Sequence, residues 1–378
     1  MKKVQCFLIL LLCICLSGCG LLTSGSHIFV AEHTSPSSAG GGQSVSASNY
    51  QQFYDALVEI VQTGTAQRII SVERYDKRLL EADIAKAADM VCKENPIAAY
   101  AVKEIQCTIG TVNGVDAVSV QVVYLRDQAQ IQQIVFVENT DQAWNVIGQS
   151  LNVCSGGLVL YVQHYEQMDL AIMIDEHALY NPDQVMEKPQ VSMHVYPDYG
   201  SSRIVELKFV YQTNRDSLKN MQTQVAPVFH SAALYVSGDA AQEEKFSQLY
   251  SFLMERYEYS IETSVTPTYS LLRHGVGDCR AFAAVYATMC HMAGLDCQIV
   301  FGTRNGESWY WNIVRIDGLY FHVDLLAPEG VFVGLDNAKM KESGYLWNFG
   351  AYPICGVLPE HDRLVGMLEN IYHINLKN

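Results

Sequence analysis

An α+β fold is predicted, and three observations predict it. Along the 378 residues the apolar pattern switches between a period near 3.6 and a period of two. These are the signatures of amphipathic helices and half-buried strands. One fixed order of such segments occurs twice between residues 50 and 212. Past residue 213 helices come first, followed by strands joined through Asp317-Gly318, a strong hairpin signal.

The N-terminus reads as a targeting segment. Lys2 and Lys3 precede an apolar run from Val4 to Leu16, which ends in Leu16-Ser17-Gly18-Cys19. Thirteen residues are too few to span a bilayer core, which takes roughly 20 in a helix. A basic start, a short apolar run and small residues before a cut site describe a secretory signal. The Leu-Ser-Gly-Cys ending resembles the lipobox of bacterial lipoproteins. That resemblance implies a signal peptide over residues 1–18, cleavage before Cys19, a lipid on Cys19, and an extracytoplasmic chain anchored to the cell membrane. Residues 19–49 are dominated by Ser, Gly and Thr. Such a stretch buries too little apolar surface to fold and reads as a flexible tether.

Residues 50–212 read as a duplicated α+β region, with copies at about 50–127 and 141–212. The first runs from helix-like "YQQFYDALVEIVQT" through strand "RIISVERY" and helix "EADIAKAADMVCKEN" to strands near "YAVKEIQCTIG" and "DAVSVQVVYL". The second repeats that αβαββ order from "DQAWNVIGQSLN" to "RIVELKFVYQ". Tyr75 and Tyr165 correspond at a shift of 90 residues, Tyr124 and Tyr211 at 87. Neither copy holds a motif for chemistry.

The third domain, 213–378, opens on two amphipathic helices and continues as "TPTYSLLRHGVGDCRAFAAVYATMCHMAGLDCQIVFGTRNG". A Gly-rich turn leads straight into a helix, with Asp278 as its N-cap and Gly294 as its stop. "CQIVFGT", "WYWNIVRI" and "LYFHVDLL" follow as strands.

These blocks, with the Trp-Asn pair, the Asp-Gly turn, "HVD" and the later "GYLWNFGAYPIC", resemble the transglutaminase-like superfamily, a group with a papain-like fold. The resemblance covers roughly residues 240–355. It implies a nucleophilic cysteine opening the helix, at Cys279, a thioester intermediate on it, and an aspartate ending the strand after a hairpin, at Asp324. The chemistry is independent of the name: a helix N-terminus has unpaired N–H groups and partial positive charge, which favour a thiolate. Cys290 and His291 lie eleven and twelve residues on, about 16 Å or more along a helix, too far to share that site.

The family's histidine stands two residues before the Trp-Asn pair. Trp311-Asn312 is that pair, and Asp324 lies 13 residues beyond Trp311. The spacing assigns the histidine's position to Trp309. An indole N–H donates a hydrogen bond and offers no basic nitrogen, so the expectation is an impaired enzyme. Two histidines are candidate substitutes for the base: His322, on the same strand face as Asp324, and His274, in the loop before Cys279. Trp309, Trp311 and Asn312 are candidate binding residues. The aromatics around them read either as cross-strand packing or as a surface that stacks on a sugar or peptide.

Composition narrows the partners. The formal charge is −15, and loss of Lys2 and Lys3 would take it to about −17. No basic stripe exists to replace phosphate counterions, which argues against nucleic acid. Beyond the first 19 residues seven cysteines remain, an odd number whose spacing suggests neither a disulfide framework nor a zinc site; no cofactor is expected. The function that follows is peptide or glycan binding, or scaffolding, at the cell envelope. The alternative is an active cysteine-dependent peptidase, amidase or acyl transferase using Cys279 with His322 or His274.

Overall fold

Side-chain caps set several of the helix starts. In this computed structural model, which describes residues 28–32, 45–327, 332–356 and positions 362, 365, 366 and 368, Asn49, Asp76 and Asn95 each accept a backbone N–H of the helix they precede. The signal peptide, Cys19 and most of the tether lie outside the described residues. Among the described residues no helix is long and apolar enough to cross a membrane.

By contact density the chain groups into two compact units: residues up to 139 with 159–165 and 194–205, and residues 140–158 with 166–193 and 206–378. In the first, β1 (Ile28–Glu32), β2 (Val45–Ser46), β3 (Gln67–Ser71), β4 (Val102–Val112) and β5 (Val115–Tyr124) form a sheet in the order β1-β4-β5-β3-β2. The helices α1 (Tyr50–Gln62), α2 (Lys77–Glu94) and α3 (Pro96–Ala101) belong to the same unit. Helix α2 buries Leu80, Ile84, Ala87, Ala88 and Val91, the i, i+4, i+7, i+8 spacing of one helical face. The β4–β5 turn places Asn113 and Gly114 at φ of 54° and 78°, as a two-residue hairpin of that twist requires.

After α4 (Gln128–Gln132) and β6 (Val135–Asn139), an αβαββ order runs through α5 (Thr140–Asn152), β7 (Gly157–His164), α6 (Leu170–Tyr180), β8 (Gln190–Tyr196) and β9 (Arg203–Val210), whereas the first run has the additional helix α3 between α2 and β4. In both runs the third strand lies between the other two, as β3-β5-β4 and as β7-β9-β8.

The second unit carries the candidate site. Its helices α7 (Arg215–Tyr235) and α8 (Gln242–Met254) lead through β10 (Glu258–Tyr259), α9 (Pro267–Tyr269), a π-helical turn (Ser270–His274) and β11 (Val276–Gly277) into α10 (Cys279–Met292). Ten successive residues of α10, Ala281 to Cys290, are buried, as expected of a helix apolar on all sides. It begins where Asp278 accepts the Ala281 N–H at 2.8 Å and ends at Gly294, whose φ is +79°.

Strands β12 (Asp296–Arg304), β13 (Glu307–Ile316), β14 (Leu319–Asp324), β15 (Phe332–Leu335) and β16 (Tyr345–Trp347) form a sheet in the order β15-β14-β13-β12-β16, and α11 (Asn337–Glu342) precedes β16. Two cores result. Phe282 and Tyr286 of α10 pack with Phe246, Val314, Phe321 and Val323. Trp311, Val300, Ile313, Tyr345 and Trp347 pack with Met340 in the other. At Gly302 a Cβ would stand 2.2 Å from the Leu346 carbonyl oxygen and 2.8 Å from the Trp311 ring, so only glycine lets β16 approach there.

Candidate active site

Cys279 is the first residue of α10, held by the Asp278 cap, and its side chain is half-buried. The backbone N–H groups of Tyr310 and Arg280 face the sulfur and favour the thiolate. Burial and the carboxylates of Asp278 and Asp324 oppose them, and the thiol is pushed up to about 11. The expected lowering by the helix N-terminus is present in direction but loses to desolvation, the largest effect on this group. The strongest influences on the thiol are burial, these two N–H groups and these two carboxylates.

Asp324 ends β14 and is buried, 2% exposed. Its Oδ2 accepts the Trp309 indole N–H at 2.8 Å and the Tyr345 hydroxyl at 2.5 Å, while Oδ1 accepts the Leu326 N–H at 2.9 Å. Burial raises its carboxyl above the usual range; these three donors, with Arg304 nearby, pull the other way. The buried Arg304 guanidinium lies 5.4 Å from the centres of both the Trp309 and Tyr345 rings. Tyr259 meets Trp309 at a ring distance of 5.7 Å. With its single N–H committed to Asp324, the indole has no atom able to take a proton.

The first candidate substitute base, His322, is not available to the thiol. His322 does share the Asp324 side of β14, yet it is fully buried on other partners. The Trp311 indole N–H donates to its Nδ1 at 3.0 Å, which places the ring proton on Nε2, 2.9 Å from Asn337 Oδ1. Burial holds its pKa down at about 4, so the ring is neutral near pH 7 with both nitrogens occupied. His322 is therefore not a base for Cys279. His274, at the end of the π-helical turn, packs edge-on to Tyr269 at 5.2 Å.

Two of the candidate binding residues also need correction. Trp311 is 1% exposed and Asn312 is 0% exposed. Trp311 lies among Tyr345, Trp347 and His322, and the Asn312 amide donates to the Ala283 carbonyl of α10 at 3.0 Å. Both build the core and offer no surface to a ligand. Trp309, half-buried, is the one that reaches the site. The space between Cys279, Phe282, Tyr310, Asp324 and Leu326 is too small for a water molecule. No group of three or more His, Cys, Asp or Glu among the described residues is placed to hold a metal.

Tyr345 and Arg304 are site residues that the sequence reading did not single out. Tyr345 sits in the closing block already noticed, where alternation could have placed it on the side of Trp347. Arg304 stands before an Asn-Gly turn, a context in which an arginine is ordinarily exposed.

The profile of the transglutaminase-like superfamily matches residues 230–326, the stretch that holds Cys279, Trp309 and Asp324. The chain carries a transglutaminase-like domain. A comparison with solved structures gave matches at low identity and low overall superposition. One is a crystal structure of a TGase, 8% identical over 63% of this chain and 68% of that one, with a TM-score of 0.25. A second is a candidate cysteine protease from Cytophaga hutchinsonii, 13% identical over 36% of this chain and 61% of that one, TM-score 0.23. A third, a candidate protease from Parabacteroides distasonis, is 9% identical over 68% of this chain and 39% of that one, TM-score 0.23. A comparison with curated proteins found no match. The transglutaminase-like domain thus places a cysteine at a helix start and an aspartate at a strand end, with an indole bonded to the aspartate.

Proposed function

We propose that the transglutaminase-like domain of this chain is catalytically impaired and serves peptide or glycan binding, or scaffolding, at the bacterial cell envelope, anchored through a lipid on Cys19. One observation carries the reading: the Trp309 N–H is bonded to Asp324 at 2.8 Å. In this reading Trp309 stands in the family's histidine position. It keeps the donor that an imidazole would give the aspartate and lacks the second nitrogen that would take the thiol proton. The thiol's own pKa, about 11, supports the same conclusion, because at neutral pH nearly all of it is protonated. The active-enzyme alternative needs a base, and His322 is occupied by Trp311 and Asn337.

Trp309→His is the direct test, read as hydrolysis or amine exchange on a glutamine-containing peptide. The unchanged chain is expected to match Cys279→Ala, and the variant to gain Cys279-dependent turnover. Positioned acid–base catalysis is worth about 10²–10⁴ in rate. Turnover by the unchanged chain that vanishes in Cys279→Ala would overturn the proposal. For the anchor, the mature protein should carry an acylated Cys19 by mass spectrometry and leave the membrane fraction as Cys19→Ser.

A further inference from the structure

Beside the start of α10, in the second unit, the structure holds a cavity of about 260 Å³. One wall comes from α10 itself, through Arg280, Ala281 and Ala284, with Asp278 at its foot. The facing wall runs from Ala178 to Lys188 and includes Leu179, Val185 and Met186; Thr263 to Val265 lie at the rim. The stretch 178–188 precedes the residues matched to the superfamily, so this wall lies outside the matched segment. Ala281 and Ala284 are one helical turn apart, and their small side chains leave the space open.

The lining tells what would fill it. Every charged side chain there already has a partner. Lys188 and Arg280 share Asp175, at 2.6 and 2.9 Å. Glu187 accepts the backbone N–H groups of Gln212 and Thr213, and Asp278 accepts that of Ala281. An ionic ligand would have to displace one of these pairs, whereas an uncharged apolar group meets Leu, Val, Met, Pro and Ala. Among the described residues no aromatic side chain lines the cavity, and so none of them offers a ring face on which a sugar stacks. The volume equals about nine waters at some 30 Å³ each, below the usual range for drug-sized ligands. That is ample for one aliphatic side chain and short for a full lipid tail. Ser264, Thr263 and Gln212 supply hydroxyl and amide groups of the kind a peptide main chain uses.

From this we infer that the cavity beside α10 is a recognition pocket for a single aliphatic side chain of a bound peptide. The inference rests on the binding reading above and selects peptide over glycan within it. Asp278 and Arg280 flank Cys279 in the chain, so the side chain would be held next to the thiol's end of α10.

The test is calorimetric titration of the full-length protein with acetyl-Gly-Leu-Gly-amide, acetyl-Gly-Gly-Gly-amide and an N-acetylglucosamine trimer. The leucine peptide should bind with a dissociation constant of about 0.1–1 mM. The triglycine should bind about ten- to a hundredfold more weakly, the usual effect of burying one leucine side chain. Val265→Trp should close the rim and weaken the leucine peptide at least about tenfold; Val265 is 50% exposed, so the fold should tolerate it. Equal affinity for the two peptides, no leucine-peptide binding, or binding that Val265→Trp leaves intact would each overturn the pocket. Saturable binding of the sugar alone would overturn it while leaving the binding-module reading standing. Cleavage of the peptides by the unchanged chain would instead strike that reading itself.

Discussion

The protonation of Cys279 gives the sharpest quantitative test. With the thiol at about 11, about one molecule in 10⁴ carries a thiolate at pH 7, against about 3% for a free cysteine near 8.5. On population alone, attack on a small disulfide probe should be about 300-fold slower than for free cysteine. A more basic thiolate is also more nucleophilic, with a Brønsted slope of about 0.4–0.5, which returns about tenfold over 2.5 pH units. The net expectation is labelling about 30-fold slower than free cysteine at pH 7, and slower again through partial burial. The rate should climb about tenfold per pH unit and level off near pH 11. Labelling must be followed by peptide mapping, because Cys92 titrates at about 11 and Cys355 at about 12. A rate at pH 7 equal to that of free cysteine, or a plateau below pH 8, would refute the reasoning. If that fast rate vanished in His322→Ala, the assignment of His322 to the core would fall with it.

Two further predictions concern the fold around the site. His322 has its pKa lowered to about 4 from 6.5, so between those values the unfolded chain binds a proton that the folded chain does not. Its contribution is complete above pH 6.5 and is lost as pH falls towards 4, about 3 kcal/mol in all. Urea midpoints between pH 7 and 4 should therefore drop, and a His322→Phe variant should show a smaller drop; equal slopes would refute it. Gly302→Ala should destabilise the protein by about 2 kcal/mol or more, because its Cβ meets the backbone of Leu346 and the ring of Trp311. An unchanged urea midpoint would mean that β16 does not sit where it is described.

Much of the domain was legible because its punctuation is local. The Asp278 cap, the Gly294 stop and the Asp317-Gly318 turn each depend on a few neighbouring residues, and each occurs where chain chemistry puts it. Alternation placed His322 and Asp324 on one side of their strand. It could not say what covers that side. Trp347 and Asn337, which enclose His322, arrive later in the chain, and only their packing makes His322 a core residue rather than a base. The thiol was misjudged for a related reason. A helix N-terminus is visible in sequence, whereas desolvation and an Asp324 carboxylate 45 residues away are properties of the packed site.

The three bonds on Asp324 have a consequence for evolutionary comparison. Its carboxylate ties together β13 through Trp309, the turn after β14 through Leu326, and β16 through Tyr345. Replacing it would remove the acceptor that these three buried or half-buried donors share, so selection for a folded chain alone is enough to keep an acid there. An aspartate preserved at this position among relatives therefore says little about whether a reaction has been preserved with it. The residue opposite, at position 309, is the more informative one to compare.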